Sequence, residues 1–224
     1  MGRLEDHLFD EILTLVRVNT SSGKLINIDA LDGAGNSTQT ELLADYLLNH
    51  RRIPTVLTRE PTDEEYGKAI RRILRKERTL SPIPFQQLFC ADRGDHLDQL
   101  ILPALARGDW VVTARYALST LAFGIANDIP AWLLLGMNVY YPWPDLNIVL
   151  MVPVEECLRR IEERNRRVSD QRELFETRTT LERTLATYQK LAEKLPKVVF
   201  VDGTGSEEAV FARVRNLVRK RLMP

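Results

Sequence analysis

The chain has 224 residues, enough for one large domain or two small ones. Hydrophobic residues make up 44% and charged residues 28%, a globular mix that argues against disorder. Thirty-one basic residues balance thirty-one acidic ones, so no whole-molecule field draws the protein to a nucleic acid polymer or a membrane surface.

Residues 4–18 carry Leu4, Leu8, Ile12, Leu13, Leu15 and Val16, a spacing that predicts an amphipathic helix. Asn19 to Gly23 reads as a break. LINIDA at 25–30 is a short apolar strand entering a glycine turn, and Leu42, Leu43, Tyr46 and Leu47 then recur at helical spacing. Further strands are predicted at 55–58, 110–114, 146–152 and 198–202. Helices are predicted from about Glu64 to Arg78, Phe85 to Ala106, over 181–195 and from Ser206 to Leu222. Strands separated by helices pair in parallel, and apolar strands such as NIVLMV suit a sheet covered on both faces. The expected architecture is one three-layer α/β domain over 25–224, a five-stranded parallel sheet with helices on both faces, preceded by a helical extension over 1–24.

Two cysteines, Cys90 and Cys157, form no disulfide framework and lack metal-ligand spacing; they read as buried reduced thiols. His7, His50 and His96 are far apart, and no metal site is expected from them. The first fifteen residues carry scattered charges and no secretory h-region. No apolar run approaches the ~18 residues of a membrane span, so the expected compartment is a reducing cytoplasm.

The first chemical signal is Asp32-Gly33-Ala34-Gly35-Asn36-Ser37-Thr38, a glycine loop after a strand and opening a helix, where phosphate-binding loops sit. Against G-x-x-x-x-G-K-[ST], Ala30 replaces the first glycine and Asn36 the lysine, while Gly35 and Ser37 hold their places. On this pattern alone, a plain glycine turn is an equally good account.

The loop is followed by TREPT at 58–62, FCADR at 89–93, ARY at 114–116 and RELFE at 172–176. These blocks, in this order and at these spacings, resemble the thymidylate kinase family over residues 25 to about 215. The resemblance implies the P-loop kinase fold and transfer of the γ-phosphoryl of ATP to dTMP, with Mg²⁺. It also implies a homodimer. Gly33, Ala34, Gly35, Asn36, Ser37 and Thr38 would then face the ATP phosphates, with Ser37 and Asp32 at the metal. Arg59 and Arg115 would grip the dTMP phosphate, and Glu60 would lie near phosphate and metal. Phe89 would stack on thymine, and Arg93, four residues on and on the same helical face, would hydrogen-bond the base. Ser119, Thr120 and Phe123 would line the nucleoside pocket. The family's aspartate before Arg115 is Ala114 here.

Six of the fourteen residues from 159 to 172 are arginine. The first turns read as a solvated helix with pairs such as Glu155–Arg159 and Glu156–Arg160. The stretch over about 160–176 also resembles the family's lid, which makes Arg164, Arg167 and Arg172 candidate phosphate ligands, one of which would replace the missing lysine. Two readings stay open: a working kinase, and a catalytically silent nucleotide-binding homologue.

Overall fold

The computed structural model describes residues 2–168 and 173–223, without the side chains of residues 2–4, 167 and 168. The chain runs α1 (Gly2–Leu13), β1 (Leu25–Ala30), α2 (Asn36–Asp45), β2 (Thr55–Arg59), α3 (Glu65–Leu74), α4 (Pro82–His96), α5 (Leu102–Arg107), β3 (Trp110–Ala114), α6 (Ala117–Ala126), α7 (Ala131–Asn138), β4 (Leu146–Met151), α8 (Val154–Val168), α9 (Arg178–Lys194), β5 (Val198–Asp202) and α10 (Glu207–Leu222).

The five strands form one parallel sheet in the order β2-β3-β1-β4-β5. From β1 to β2 the chain moves one way along the sheet, and from β3 to β4 and β4 to β5 it moves the other way. Right-handed crossovers therefore place α2 on one face and α6 to α9 on the opposite face. The contacts agree, since α10 packs beside α2 and α9 packs on α6. This is the three-layer architecture expected from the sequence. Every residue of β1 is buried, as an apolar strand flanked on both faces must be. Among the described residues no helix is long and apolar enough to cross a membrane.

Two elements differ from the periodicity. The first helix ends at Leu13, and Leu15 and Val18 are exposed. Phe9 on α1 still enters the same core as the sheet, and α1 packs along α7. Beyond it the chain becomes extended, with Val18 bridged to Trp143 and the Trp143 amide donating to the Arg17 carbonyl at 2.6 Å. The helix read as continuous over 85–106 changes register through a π turn at Leu97–Ile101. Pro103 has no N–H to donate to the carbonyl of Gln99 and crowds it, which widens the helix there.

Parallel doubly wound sheets bind ligands beyond the carboxyl ends of their strands, where the winding reverses. Here that crevice lies between β1 and β3. The glycine loop follows β1, Arg115 follows β3, and Glu60 follows β2 at the neighbouring strand end.

Candidate active site

Gly33 and Gly35 have φ of 79° and 92°, the left-handed region glycine enters without steric cost. Gly35 caps α2 with no side-chain bond, so the first amides of α2 keep the unsatisfied donors with which a helix begins. A side chain at Gly33 would bring its Cβ to 2.7 Å from the Cys157 carbonyl of α8, which fixes the loop against that helix. Such a loop at a helix N-terminus suits phosphate oxygens.

Burial pushes the Cys157 thiol from 9.0 up to about 12; Arg160 opposes the shift, and Asp32 and Glu156 add to it. The folded state therefore holds this proton more tightly than the unfolded chain. The stability it contributes is complete below about pH 9 and is lost as pH rises toward the folded value. Thermal melts should show Tm falling as pH climbs past about 9, and Cys157→Ala should flatten that fall. An unchanged slope in the variant would show that the thiol plays no part.

A cavity of about 260 Å³ opens beside the loop. It gathers Asp32, Arg59, Glu60, Phe89, Arg93, Arg115, Ser119, Thr120 and Phe123, all named from the sequence. Arg93 and Glu60 are almost wholly buried there. Arg93 donates Nε and Nη2 to Glu60 Oε2 at 3.0 and 2.7 Å, Nη2 to Thr120 at 3.1 Å and Nη1 to Asn138. These contacts leave one Nη1 hydrogen unused. Burial works against the guanidinium's charge, but Glu60 overrides it and the pKa moves up. Glu60 is also 3.3 Å from His96 Nδ1, and His96 Nε2 is 2.7 Å from the Thr58 hydroxyl. The carboxylate is thus held inside a buried network.

Arg115 has φ of 71°, a conformation costing a non-glycine residue of order 1–3 kcal/mol and often found at functional sites. Its Nη2 donates to Asp32 at 2.5 Å and its Nη1 to Ser119 at 3.3 Å, with its charge over the Phe123 ring. Burial opposes the charge, and Asp32, Tyr188 and Asp29 more than restore it. Asp29, fully buried at the end of β1, accepts from Ser119 at 2.5 Å and from the Tyr188 hydroxyl at 2.7 Å. At the mouth, Arg59 and Arg71 share the Asp63 carboxylate at 2.8 and 3.0 Å. The Arg59 hydrogen bonds and charge hold that carboxyl below its ordinary range.

Arg59 also lines a second cavity, of about 550 Å³, with Ser37, Asp63, His96 and Ala114. Arg59 thus borders both cavities, while its partner Asp63 lines the second.

The candidate lid arginines separate. Arg164 is paired with the buried carboxylate of Glu176. Arg172 and the side chain of Arg167 lie outside the described residues. Arg160 reaches the loop, with Nη1 3.5 Å from the Gly33 carbonyl and Nε 2.7 Å from Glu156. The Glu156–Arg160 pair forms as expected, but Arg159 bonds Glu156 and Glu163, and Glu155 bonds Arg178. Glu173 and Phe175, from the RELFE block, line the first cavity. Phe175 packs on Phe85 and Phe123, and the Leu174 amide bonds the Leu74 carbonyl of α3 at 2.8 Å. Gln86, Tyr116, Arg71 and Phe175 were not singled out from the sequence. Gln86 and Phe175 had a usable signal, the first by lying one helical turn before Phe89 and the second within the RELFE block.

Among the described residues no group of three His, Cys, Asp or Glu could hold a metal ion. Magnesium needs only one or two protein oxygens when phosphates supply others. Ser37 and Asp32 are oxygen donors of that kind, so the residues fit it.

The winding, the glycine loop after β1 and the arginine-lined cavity across from it define the P-loop kinase fold. The family model described as thymidylate kinase matches residues 28–214. A probable thymidylate kinase of Pyrococcus horikoshii is 37% identical over 90% of this chain and 98% of its own length. One from Thermococcus kodakarensis is 35% identical over 88% and 98%. A thymidylate kinase of Prochlorococcus marinus (strain NATL2A) is 32% identical over 88% and 97%. The chain belongs to the thymidylate kinase family.

Proposed function

We propose that the chain transfers the γ-phosphoryl of ATP to dTMP, giving dTDP, at a low turnover set by Asn36 and Ala114. The observation that carries this reading is the single cavity joining Phe89, Arg93, Arg115 and Arg59 beside the glycine loop. Phe89 offers an aromatic face for the base, and Arg93 a donor. Arg115 and Arg59 take the phosphate, the charged group for which guanidinium forks are suited. Ser119, Thr120 and Phe123 enclose the sugar. On the donor side, the amides from Gly33 to Thr38 cradle the ATP phosphates, Arg160 is a cation beside that loop, and Arg164, Arg167 and Arg172 are the lid's proposed phosphate ligands. Magnesium, held by Ser37 with Asp32 beside it, would neutralise charge on the transferring phosphoryl group. Glu60 acts through Arg93, as the carboxylate that positions it.

A coupled assay of ADP release with ATP and dTMP tests the reaction, and calorimetric titration with dTMP and with ATP tests the two sites. Measurable ADP release that requires dTMP supports the reading. Binding of dTMP with no ADP release would establish the silent homologue, which Ala30, Asn36 and Ala114 favour. Tight ATP binding with no dTMP binding would refute the acceptor assignment. The reading also takes the protein as a homodimer, which light scattering of the purified chain checks.

A further inference from the structure

Asp29 stands at the carboxyl end of β1, fully buried and outside the lining of both cavities. A buried carboxylate is costly unless it is paired and hydrogen-bonded. Three elements meet that demand at a single oxygen. Asp29 Oδ1 accepts from Ser119 of α6 at 2.5 Å and from the Tyr188 hydroxyl of α9 at 2.7 Å, and it lies 3.6 Å from Arg115 Nη1. Its Oδ2 accepts from Asn27 Nδ2 at 3.2 Å. Burial and the Asp29 charge hold the Tyr188 phenol well above its ordinary range, so its proton stays available to Asp29.

Arg115 is therefore gripped on two sides. Nη2 bonds Asp32, which lines the acceptor cavity, while Nη1 bonds the Ala30 carbonyl at 3.2 Å and Ser119 at 3.3 Å on the Asp29 side. The two carboxylates are unlike. Asp32 is reached by solvent and is assigned above to the metal. Asp29 is sealed from solvent, and among the described residues Arg115 is the one cation paired with it. A left-handed residue such as Arg115 persists only where its surroundings over-determine it. The Arg115 amide donates to the Ile28 carbonyl at 3.1 Å, and Asp29 with Ser119 fixes the far end of the same residue.

We propose that Asp29, its carboxylate fixed by Tyr188, is a positioning residue: through Ser119 and Nη1 it holds the Arg115 guanidinium in place for the phosphate of the acceptor. The inference rests on the acceptor reading above, which uses Arg115 and gives Asp29 and Tyr188 no part. Neither residue lines the acceptor cavity, so their effect is confined to the group that Arg115 grips. Thymidine, which lacks that phosphate, should not feel it.

The test is calorimetric titration of the full chain, its Asp29→Asn variant and its Tyr188→Phe variant with dTMP and with thymidine. Each variant should bind dTMP about tenfold more weakly, the equivalent of one hydrogen bond to a charged group, and bind thymidine as the parent does. Tyr188→Phe removes a single hydroxyl, so it carries the test if Asp29→Asn fails to fold. Unchanged dTMP affinity in the variants overturns the inference. Equal losses for dTMP and thymidine overturn it too, since they would show that the pair only supports the fold. A loss in Asp29→Asn alone strikes Tyr188 from the assignment. A parent that fails to bind dTMP overturns the acceptor reading itself, and this inference with it.

Discussion

The Asn36→Lys, Ala114→Asp double change should raise turnover with ATP and dTMP by roughly a thousandfold. Asn36 opens α2, whose first-turn amides are proposed to meet the phosphates, but an amide side chain brings no charge. Unit charges about 4 Å apart at an effective dielectric of about 20 attract by about 4 kcal/mol. If that attraction is realised mainly in the transition state, it lowers the barrier by the same amount. Ala114 ends β3 and lines the cavity that also holds Ser37 and Arg59. On the proposed reading, a carboxylate there would face the metal and the acceptor phosphate. The two changes together leave the net charge of the site unaltered, so neither cavity gains a field that repels its ligand. The lysine should carry most of the gain, which the single variants resolve. A double variant that folds, binds both nucleotides and still turns over at the parent rate would show that Asn36 and Ala114 are not what limits the reaction.

The sequence made the strands and the loop legible because both are local. Six consecutive buried residues in LINIDA, followed by DGAG, specify a buried parallel strand and a left-handed turn without reference to anything distant. The Phe89–Arg93 pair was visible for the same reason, since helical spacing alone puts the two on one face. The partners that hold the site were not visible. Arg93 meets Asn138 across 45 residues, and Tyr188 meets Asp29 across 159. Such pairs follow from how α4, α7 and α9 stack on the sheet, and no period along the chain encodes them. In the arginine-rich stretch the described part shows the same dependence on distant partners: the helix turn that faces Gly33 is that of Arg160, and a buried carboxylate at Glu176 takes Arg164. Arg115 gave no warning of its left-handed backbone, because the strain is imposed by the strand end and the cavity it serves rather than by residue type.

Arg93→Ala should destabilise the protein by about 3–5 kcal/mol and abolish dTMP binding, because it strands a buried carboxylate. Glu60 is 5% exposed and would keep only His96, at 3.3 Å, in place of the two bonds that Arg93 supplies. Asn138 and Thr120 would each lose the Arg93 donor as well. For a domain of this size the loss amounts to a fall in Tm of about 6–20 °C. Loss of binding alone would be ambiguous in a variant so weakened. The Arg93→Met, Glu60→Leu pair removes both charges and refills the space, a replacement that tends to be neutral or stabilising when a buried ion pair is exchanged for apolar packing. That double variant should recover most of the Tm and still fail to bind dTMP, since the donor facing the base is gone. Full recovery of dTMP affinity in the apolar pair would mean that Arg93 only supports the fold, and that recognition of the base lies with other groups on the cavity wall.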